Sequence, residues 1–316
     1  MSHLVDIVSV LSIVGIWPRY IEPRLVCVTE LNWQLSFDQR HLDGFTIVHF
    51  TDLHFSQRVP PSFLDRVARR ILRKKPDVIL FTGDFLCYSH LEEAERLTCF
   101  LQRLQAPHGC FCSFGNHDYA RYVSRNGQGF YDIQRPIHPL MAVGRALSRS
   151  MRRSPTSDLV TPEAASTPLH EGLCTLLHET PFQLLENMTV TLPIGLNITG
   201  LGDRALGRCR PKTAFMGYDK RYPGLVLSHN PDTFPSLRHY PGDWMFSGHT
   251  HGEQVYLPFI HALSRRFTRW EHPCYTRGLV HEGAKRLYVN RGVGSPERFR
   301  FRSPPEILVV RAKRHG

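Results

Sequence analysis

From about residue 45 the chain repeats one pattern: a short apolar, β-rich run that ends in a cluster of chemistry-bearing side chains. FTIVHF leads into Thr51-Asp52-Leu53-His54, PDVILF into Thr82-Gly83-Asp84, and GCFCSF into Gly115-Asn116-His117-Asp118. Further on, LNITGLG leads into Asp203, GLVLS into His229-Asn230, and DWMFSG into His249-Thr250-His251. Short unbroken apolar runs predict strands buried on both faces. In open α/β sheets, ligand sites gather beyond the carboxyl ends of the strands. Every cluster stands at such an end, so side chains distant in sequence can converge.

Between the first two runs, PSFLDRVARRILRKK carries Phe63, Leu64, Val67, Ala68, Ile71 and Leu72 at helical spacing, with cations at the C-terminal end where the helix dipole favours them. HLEEAERLTCFLQRL does the same with Leu91, Ala94, Leu97, Leu101 and Leu104. The chain therefore opens as β-α-β-α-β, a parallel sheet with crossover helices. Later strands arrive without long helices between them, which predicts a second, partly antiparallel sheet. The expected fold is α/β: a two-sheet β-sandwich flanked by helices, with a helical insertion.

Three segments stand outside this pattern. Leu4–Trp17 is nearly all apolar but too short for a comfortable membrane span. No Lys or Arg precedes it and no small-residue cleavage site follows, so a secretory signal peptide is not expected. Two readings stay open: a helix in a membrane surface, or one packed on the domain. Residues 1–25 are set apart on this ground from a main domain over 26–316. The second segment, about 119–170, shows no strand pattern. Within it Leu140, Val143, Leu147 and Met151 form an apolar stripe, with Arg145, Arg149, Arg152 and Arg153 largely off it. A basic amphipathic helix reads as membrane contact, a lid or a surface helix, and SPTSDLVTPEAASTP after it reads as a flexible linker. The third is PFIHALSRRFTRW, residues 258–270.

The net charge of +11 favours anionic partners. The eight cysteines fit no zinc ribbon or redox pair, so they read as small core residues of a reducing compartment.

Asp52, His54, Asp84, Asn116, His117, His229, His249 and His251 together offer carboxylate, imidazole and amide, and no thiolate. Such a mixed set suits Mn²⁺, Fe or Zn²⁺ better than Ca²⁺ or a structural zinc. It is too many donors for one catalytic ion and suits two ions sharing a carboxylate. In an extended chain His249 and His251 would face one point, as side chains at i and i+2 do.

The ordered series DLH, GD, GNHD, a single His, then GHTH resembles the calcineurin-like metallophosphoesterases over roughly residues 45–310. The phrases IEP, TDLHFS, TGDF, GNHD, LSHNPD, SGHTHG and NRGVG are similar to its membrane-associated YkuE/YaeI-like branch. The resemblance implies that Asp52, His54 and His251 hold one metal, that Asn116, His229 and His249 hold the other, and that Asp84 bridges them. It makes His117 and Asp118 the catalytic residues. His117, as imidazolium, faces the phosphoryl group, and Asp118 orients it. Hydrolysis would proceed by attack of a metal-bound hydroxide. The chain departs from the branch at Glu253, where glycine is common, and in the insertion at 119–170, which could roof the site.

Within the superfamily, the apolar N-terminus and the basic insert resemble UDP-2,3-diacylglucosamine pyrophosphatases of lipid A synthesis. These cleave a nucleotide-lipid to UMP and 2,3-diacylglucosamine 1-phosphate, typically with Mn²⁺. That implies a cytoplasmic enzyme held peripherally on the inner membrane. Arg145, Arg149, Arg152 and Arg153 would then meet phosphate or uridine, and no protein partner is expected. A general phosphodiesterase or nuclease is the alternative enzyme, although the chain lacks the aromatic-interleaved basic strands of a base-stacking platform. A non-catalytic scaffold should have lost ligands, and none is missing.

Overall fold

The computed structural model describes residues 12–135, 159–256 and 275–314. All six apolar runs are strands. FTIVHF gives β2 (Thr46–Phe50), PDVILF β3 (Val78–Thr82) and GCFCSF β4 (Cys110–Ser113); LNITG is β9 (Leu196–Gly200), GLVL β10 (Gly224–Leu227) and WMFS β11 (Trp244–Ser247). Strands β2, β3 and β4 pair in parallel, as do β9, β10 and β11. Within each sheet, then, the three strand ends that lead into the polar clusters lie on one rim.

Two six-stranded sheets result. The first runs β1 (Cys27–Leu35), β14 (Glu306–Arg314), β2, β3, β4, β7 (Phe182–Leu184). The second runs β12 (Gly278–Glu282), β13 (Lys285–Val289), β11, β10, β9, β8 (Met188–Leu192). Antiparallel pairs occur at β14–β2, β8–β9 and β12–β13. The period of two along each strand divides the core. Ile47, Val78, Leu80, Phe111, Leu225, Leu227, Trp244 and Phe246 point between the sheets. Val48, Phe50, Ile79 and Phe81 point the other way, onto helices α1 (Pro61–Leu72), α2 (Ala94–Gln102) and α3 (Glu171–His178). Each such burial is worth about 1.5–3 kcal/mol, so the rims are carried on a rigid double layer.

The expected helix faces need small revisions. Phe63, Leu64, Val67, Ala68 and Ile71 of α1 are buried, but Leu72 at its end turns outward. In α2, Ala94 is exposed and Phe100 fills the core beside Leu97 and Leu101.

The segment 119–170 is not strand-free. Val123–Arg125 (β5) and Tyr131–Ile133 (β6) form an antiparallel hairpin. Its turn is closed by the Asn126 side chain, which accepts from the N–H groups of Gln128 and Phe130 at 2.9 and 3.1 Å. Nor is the described end of SPTSDLVTPEAASTP a linker. Val160 bridges to Tyr131, Thr161 caps the turn Pro162–Ala165, and Ala164 is buried. The expected amphipathic helix with Arg145, Arg149, Arg152 and Arg153 lies outside the described residues, as does 258–270.

At the N-terminus, Ser12–Ile21 is helical and docked on the domain at its end. Trp17 Nε1 donates to Glu22 at 2.8 Å, Ser303 N donates to Glu22 at 2.6 Å, and Arg300 N donates to the Pro18 carbonyl at 2.8 Å. Pro18 and Glu22 are buried, while Ile16, Trp17, Tyr20, Ile21 and Leu25 are exposed. Among the described residues, no helix is long and apolar enough to cross a membrane.

Candidate active site and metal centre

The ligand-bearing loops do not continue their strands. Asp52, His54, Asp84, His249 and His251 all have positive φ, between 45° and 69°. Non-glycine residues rarely adopt this region, and each such residue costs of order 1–3 kcal/mol. Here the strands that precede them and the close packing around them hold them in it. The His249-Thr250-His251 stretch is therefore not extended, contrary to expectation; two left-handed residues bring the imidazoles to the two sides of one cluster. Close packing supports the turn. A Cβ at Gly248 would fall on the Asp52 carboxylate and Thr51, and one at Gly115 would fall on Asp84.

Asp84 stands at the centre. Its Oδ2 lies 3.3 Å from His229 Nε2 and 3.5 Å from His54 Nε2. On one side, His54 Nε2 faces His251 Nε2 at 3.1 Å, and Asp52 Oδ1 is 3.5 Å from the latter. On the other side, His249 Nδ1 faces His229 Nε2 at 3.2 Å. Ligand atoms of Asp52, His54 and His251, and those of Asp52, Asp84 and His229, each fall within 4.8 Å of one another. The same holds for His54, Asp84 and His117. Asp52, Asp84, His54 and His229 are at most 2% exposed.

These atoms could hold two metal ions, and two details fit that use. Asn116 donates through Nδ2 to the Val123 carbonyl at 2.7 Å, leaving its buried Oδ1 without a partner. An amide oxygen so placed is a ligand in waiting. His229 Nδ1 meets the Thr82 carbonyl at 2.7 Å. That contact fixes the proton on Nδ1 and turns the Nε2 lone pair inward, as metal-binding histidines commonly do.

Electrostatics agree. Burial alone would raise the carboxyl of Asp52, but His251 and His54 outweigh it and hold it below the usual range. Against the same burial, His229 above all holds Asp84 well below it. Burial likewise opposes charging His229, yet Asp84 and Asp52 raise that ring to about 10. Burial and then the neighbouring His229 push His249 down to about 4. The two buried acids thus demand positive charge within the cluster.

The calcineurin-like phosphoesterase family model matches residues 45–253. The chain belongs to that family. It is 41% identical, over an alignment of 329 residues, to the UDP-2,3-diacylglucosamine pyrophosphatase LpxG of Chlamydia trachomatis, covering 98% of this chain and 96% of that protein. LpxG of Chlamydia muridarum is also 41% identical, with 98% and 95% covered. The uncharacterized metallophosphoesterase YkuE of Bacillus subtilis is 30% identical over 302 residues, covering 94% of this chain and 89% of that protein.

In this phosphoesterase His117 Nδ1 accepts the backbone N–H of Tyr88 at 2.8 Å. Its ring proton therefore belongs on Nε2, which lies 3.9 Å from Asp84 Oδ2. Burial also pushes His117 well below the usual imidazole range. The ring is neutral here, a correction to the expected imidazolium. A second correction concerns Asp118. Its carboxylate does not orient His117; it accepts backbone N–H groups of Asp84, Gly115 and Leu86 at 2.6, 3.0 and 3.0 Å. Asp118 therefore ties the Asp84 loop to the Asn116 loop.

Several supports of the phosphoesterase site were not legible as such. NRGVG packs behind Asp52: Val293 N donates to Thr51 O at 2.9 Å, and Gly294 N to Asp52 O at 2.7 Å. The buried Arg300 gathers the carbonyls of Gly292, Gly294 and Ser303, with burial lowering its guanidinium to about 10. Asp203 is buried behind the cluster, and burial raises it to about 7. Arg125 stacks 4.4 Å over Tyr131 on the hairpin that leaves Asn116. Glu253 follows the ligand loop at φ 62°.

Proposed function

We propose that this phosphoesterase cleaves the pyrophosphate of UDP-2,3-diacylglucosamine, giving UMP and 2,3-diacylglucosamine 1-phosphate for lipid A synthesis. The carrying observation is similarity over 98% of the chain to two pyrophosphatases of that name, with Asp52, His54, Asp84, His229 and His251 converging and His249 beside His229. Asp52, His54 and His251 would hold one ion, and Asn116, His229 and His249 the other, with Asp84 between them. Mn²⁺ is the expected ion; Fe and Zn²⁺ accept the same nitrogen and oxygen donors. When bound, such ions screen phosphate charge and make a water acidic enough to attack. His117 Nε2–H would donate to the phosphoryl or leaving oxygen, while Asp118 keeps the Asp84 and Asn116 loops in register. The hairpin β5–β6, within the segment 119–170, is tied to Asn116 through the Val123 carbonyl, which supports reading that segment as a lid.

The substrate's acyl chains require a lipid surface, and the N-terminal turn supports one. Ile16, Trp17, Tyr20, Ile21 and Leu25 are exposed, beside Arg19 and Arg24. After burial, the charges of Arg24, Arg58 and Arg19 lower Arg298, so four arginines share that end. Apolar side chains ringed by cations suit an anionic membrane surface. Glu22 binds Ser303 N, and Ser303 Oγ donates to the His251 carbonyl at 2.8 Å, so this face adjoins the ligand loops. These features support a membrane-surface reading, and we propose a peripheral place on the cytoplasmic side of an inner membrane.

The test is UMP release from UDP-2,3-diacylglucosamine in mixed micelles with Mn²⁺, beside bis(p-nitrophenyl) phosphate as a soluble diester. Turnover of the nucleotide-lipid, abolished by chelation, is expected. Turnover of the diester alone would leave a phosphoesterase with another substrate.

A further inference from the structure

Tyr88 lies four residues beyond Asp84, and its hydroxyl is engaged by Glu297. Its backbone N–H holds His117 Nδ1 at 2.8 Å, and its ring lies 5.3 Å from the His117 ring. Tyr122 packs on both, with ring centroids 4.3 Å from His117 and 5.0 Å from Tyr88. The Tyr88 hydroxyl donates to Glu297 Oε1 at 3.0 Å. The other Glu297 oxygen accepts from Gln254 Nε2 at 3.3 Å, on the loop that carries His251. One carboxylate thus joins the loop that orients His117 to the loop that bears a ligand. Tyr88 and Gln254 both have positive φ, 54° and 23°, so local backbone preference does not hold either in place. Burial and the facing Glu297 push the Tyr88 phenol up, so it stays a donor.

We propose that Tyr88 and Glu297 are a positioning pair that fixes the His117 ring toward the phosphoryl group and keeps it in register with the His251 loop. The proposal rests on His117 facing that group, and not on which lipid is cleaved. The ring's Nδ1 has this one N–H as its partner among the hydrogen bonds described, so slack in Tyr88 becomes slack in Nε2. Misplacing a reacting group by about 1 Å costs on the order of 100-fold in rate.

The experiment measures kcat, KM and bound metal for the Mn²⁺-loaded full chain acting on bis(p-nitrophenyl) phosphate. Tyr88→Phe and Glu297→Ala should each lower kcat roughly 10- to 100-fold, with KM and both ions retained. Glu297→Gln, which keeps an oxygen for the Tyr88 hydroxyl, should recover most of the rate. In a His117→Ala background, Tyr88→Phe should change the rate by less than about 2-fold, because the pair acts through that ring. An undiminished loss in that background, loss of an ion, or a wild-type kcat in Tyr88→Phe would overturn the proposal. A wild-type rate in His117→Ala alone would overturn the role of His117, and the positioning pair with it.

Discussion

The first sheet delivers both carboxylates of the centre, Asp52 and Asp84, while the second delivers His229, His249 and His251, with its Asp203 buried behind them rather than grouped with the ligand atoms. The carboxylate half is locked from its own side. Asp118 ties Asp84 by backbone hydrogen bonds, and NRGVG packs behind Asp52. The imidazole half leans on the other: His229 Nδ1 rests on the Thr82 carbonyl, and His249 N donates to Asp52. Fixed negative charge is thus built into one sheet, and the adjustable donors hang from the other. The difference predicts unequal consequences when each half is damaged.

The largest effect should come from Asp84→Asn. Removing the shared carboxylate should empty both positions and lower kcat/KM by about 1,000-fold or more. Metal analysis should show neither ion retained stoichiometrically. Thermal melts give a second check. Wild type at 100 times the metal dissociation constant should gain about 2.7 kcal/mol over the chelated protein, and the variant should gain little. One tightly held ion in Asp84→Asn would break the idea of a common bridge.

Damage to the imidazole half should be narrower. His249→Ala should lose one ion and keep the other, with activity down roughly 100- to 1,000-fold and partly restored by excess metal. His117→Ala is the control at the same rim. It should retain both ions while kcat falls about 100- to 10,000-fold. If the two variants lose metal alike, His117 belongs among the ligands, as its place with His54 and Asp84 permits.

The same contrast explains what the sequence made legible. Asp52, Asp84, Asn116 and the histidines stood out because each follows a strand written in an unbroken apolar run, and strand ends are where such side chains must gather. The left-handed turn at His249 and His251 was not legible, since alternation in sequence reads as extension. Nor was the true acceptor role of Asp118, because a carboxylate beside a histidine in sequence looks like its partner. The hairpin Val123–Ile133 hid for another reason. Its strands are three residues each, too short for a period to show.

A gentler test of the join between halves is Gly248→Ala. The added methyl would meet Asp52 and Thr51, so the second sheet's loop would push the first sheet's carboxylate aside. Overpacking of this kind typically costs about 1–3 kcal/mol. Calorimetry should show that loss together with weaker metal binding. Unchanged affinity would mean that Asp52 can yield without leaving its ion.

The smallest catalytic effect should come from the exposed side chains of the N-terminal turn. Ile16 and Tyr20 are 51% and 50% exposed. Their side chains take no part in the metal cluster, so Ile16→Ser with Tyr20→Ser should leave hydrolysis of a soluble diester within about 2-fold. Binding to vesicles containing phosphatidylglycerol should weaken by about 10-fold or more, since losing two apolar contacts with the bilayer costs at least about 1.4 kcal/mol. Turnover of a substrate carried in those vesicles should fall with binding, and high salt should deepen the loss by screening the neighbouring arginines. Equal binding by the variant would mean that these side chains face something other than lipid. A parallel loss on the soluble diester would mean that the turn, through Glu22 and Ser303, holds the His251 loop in place.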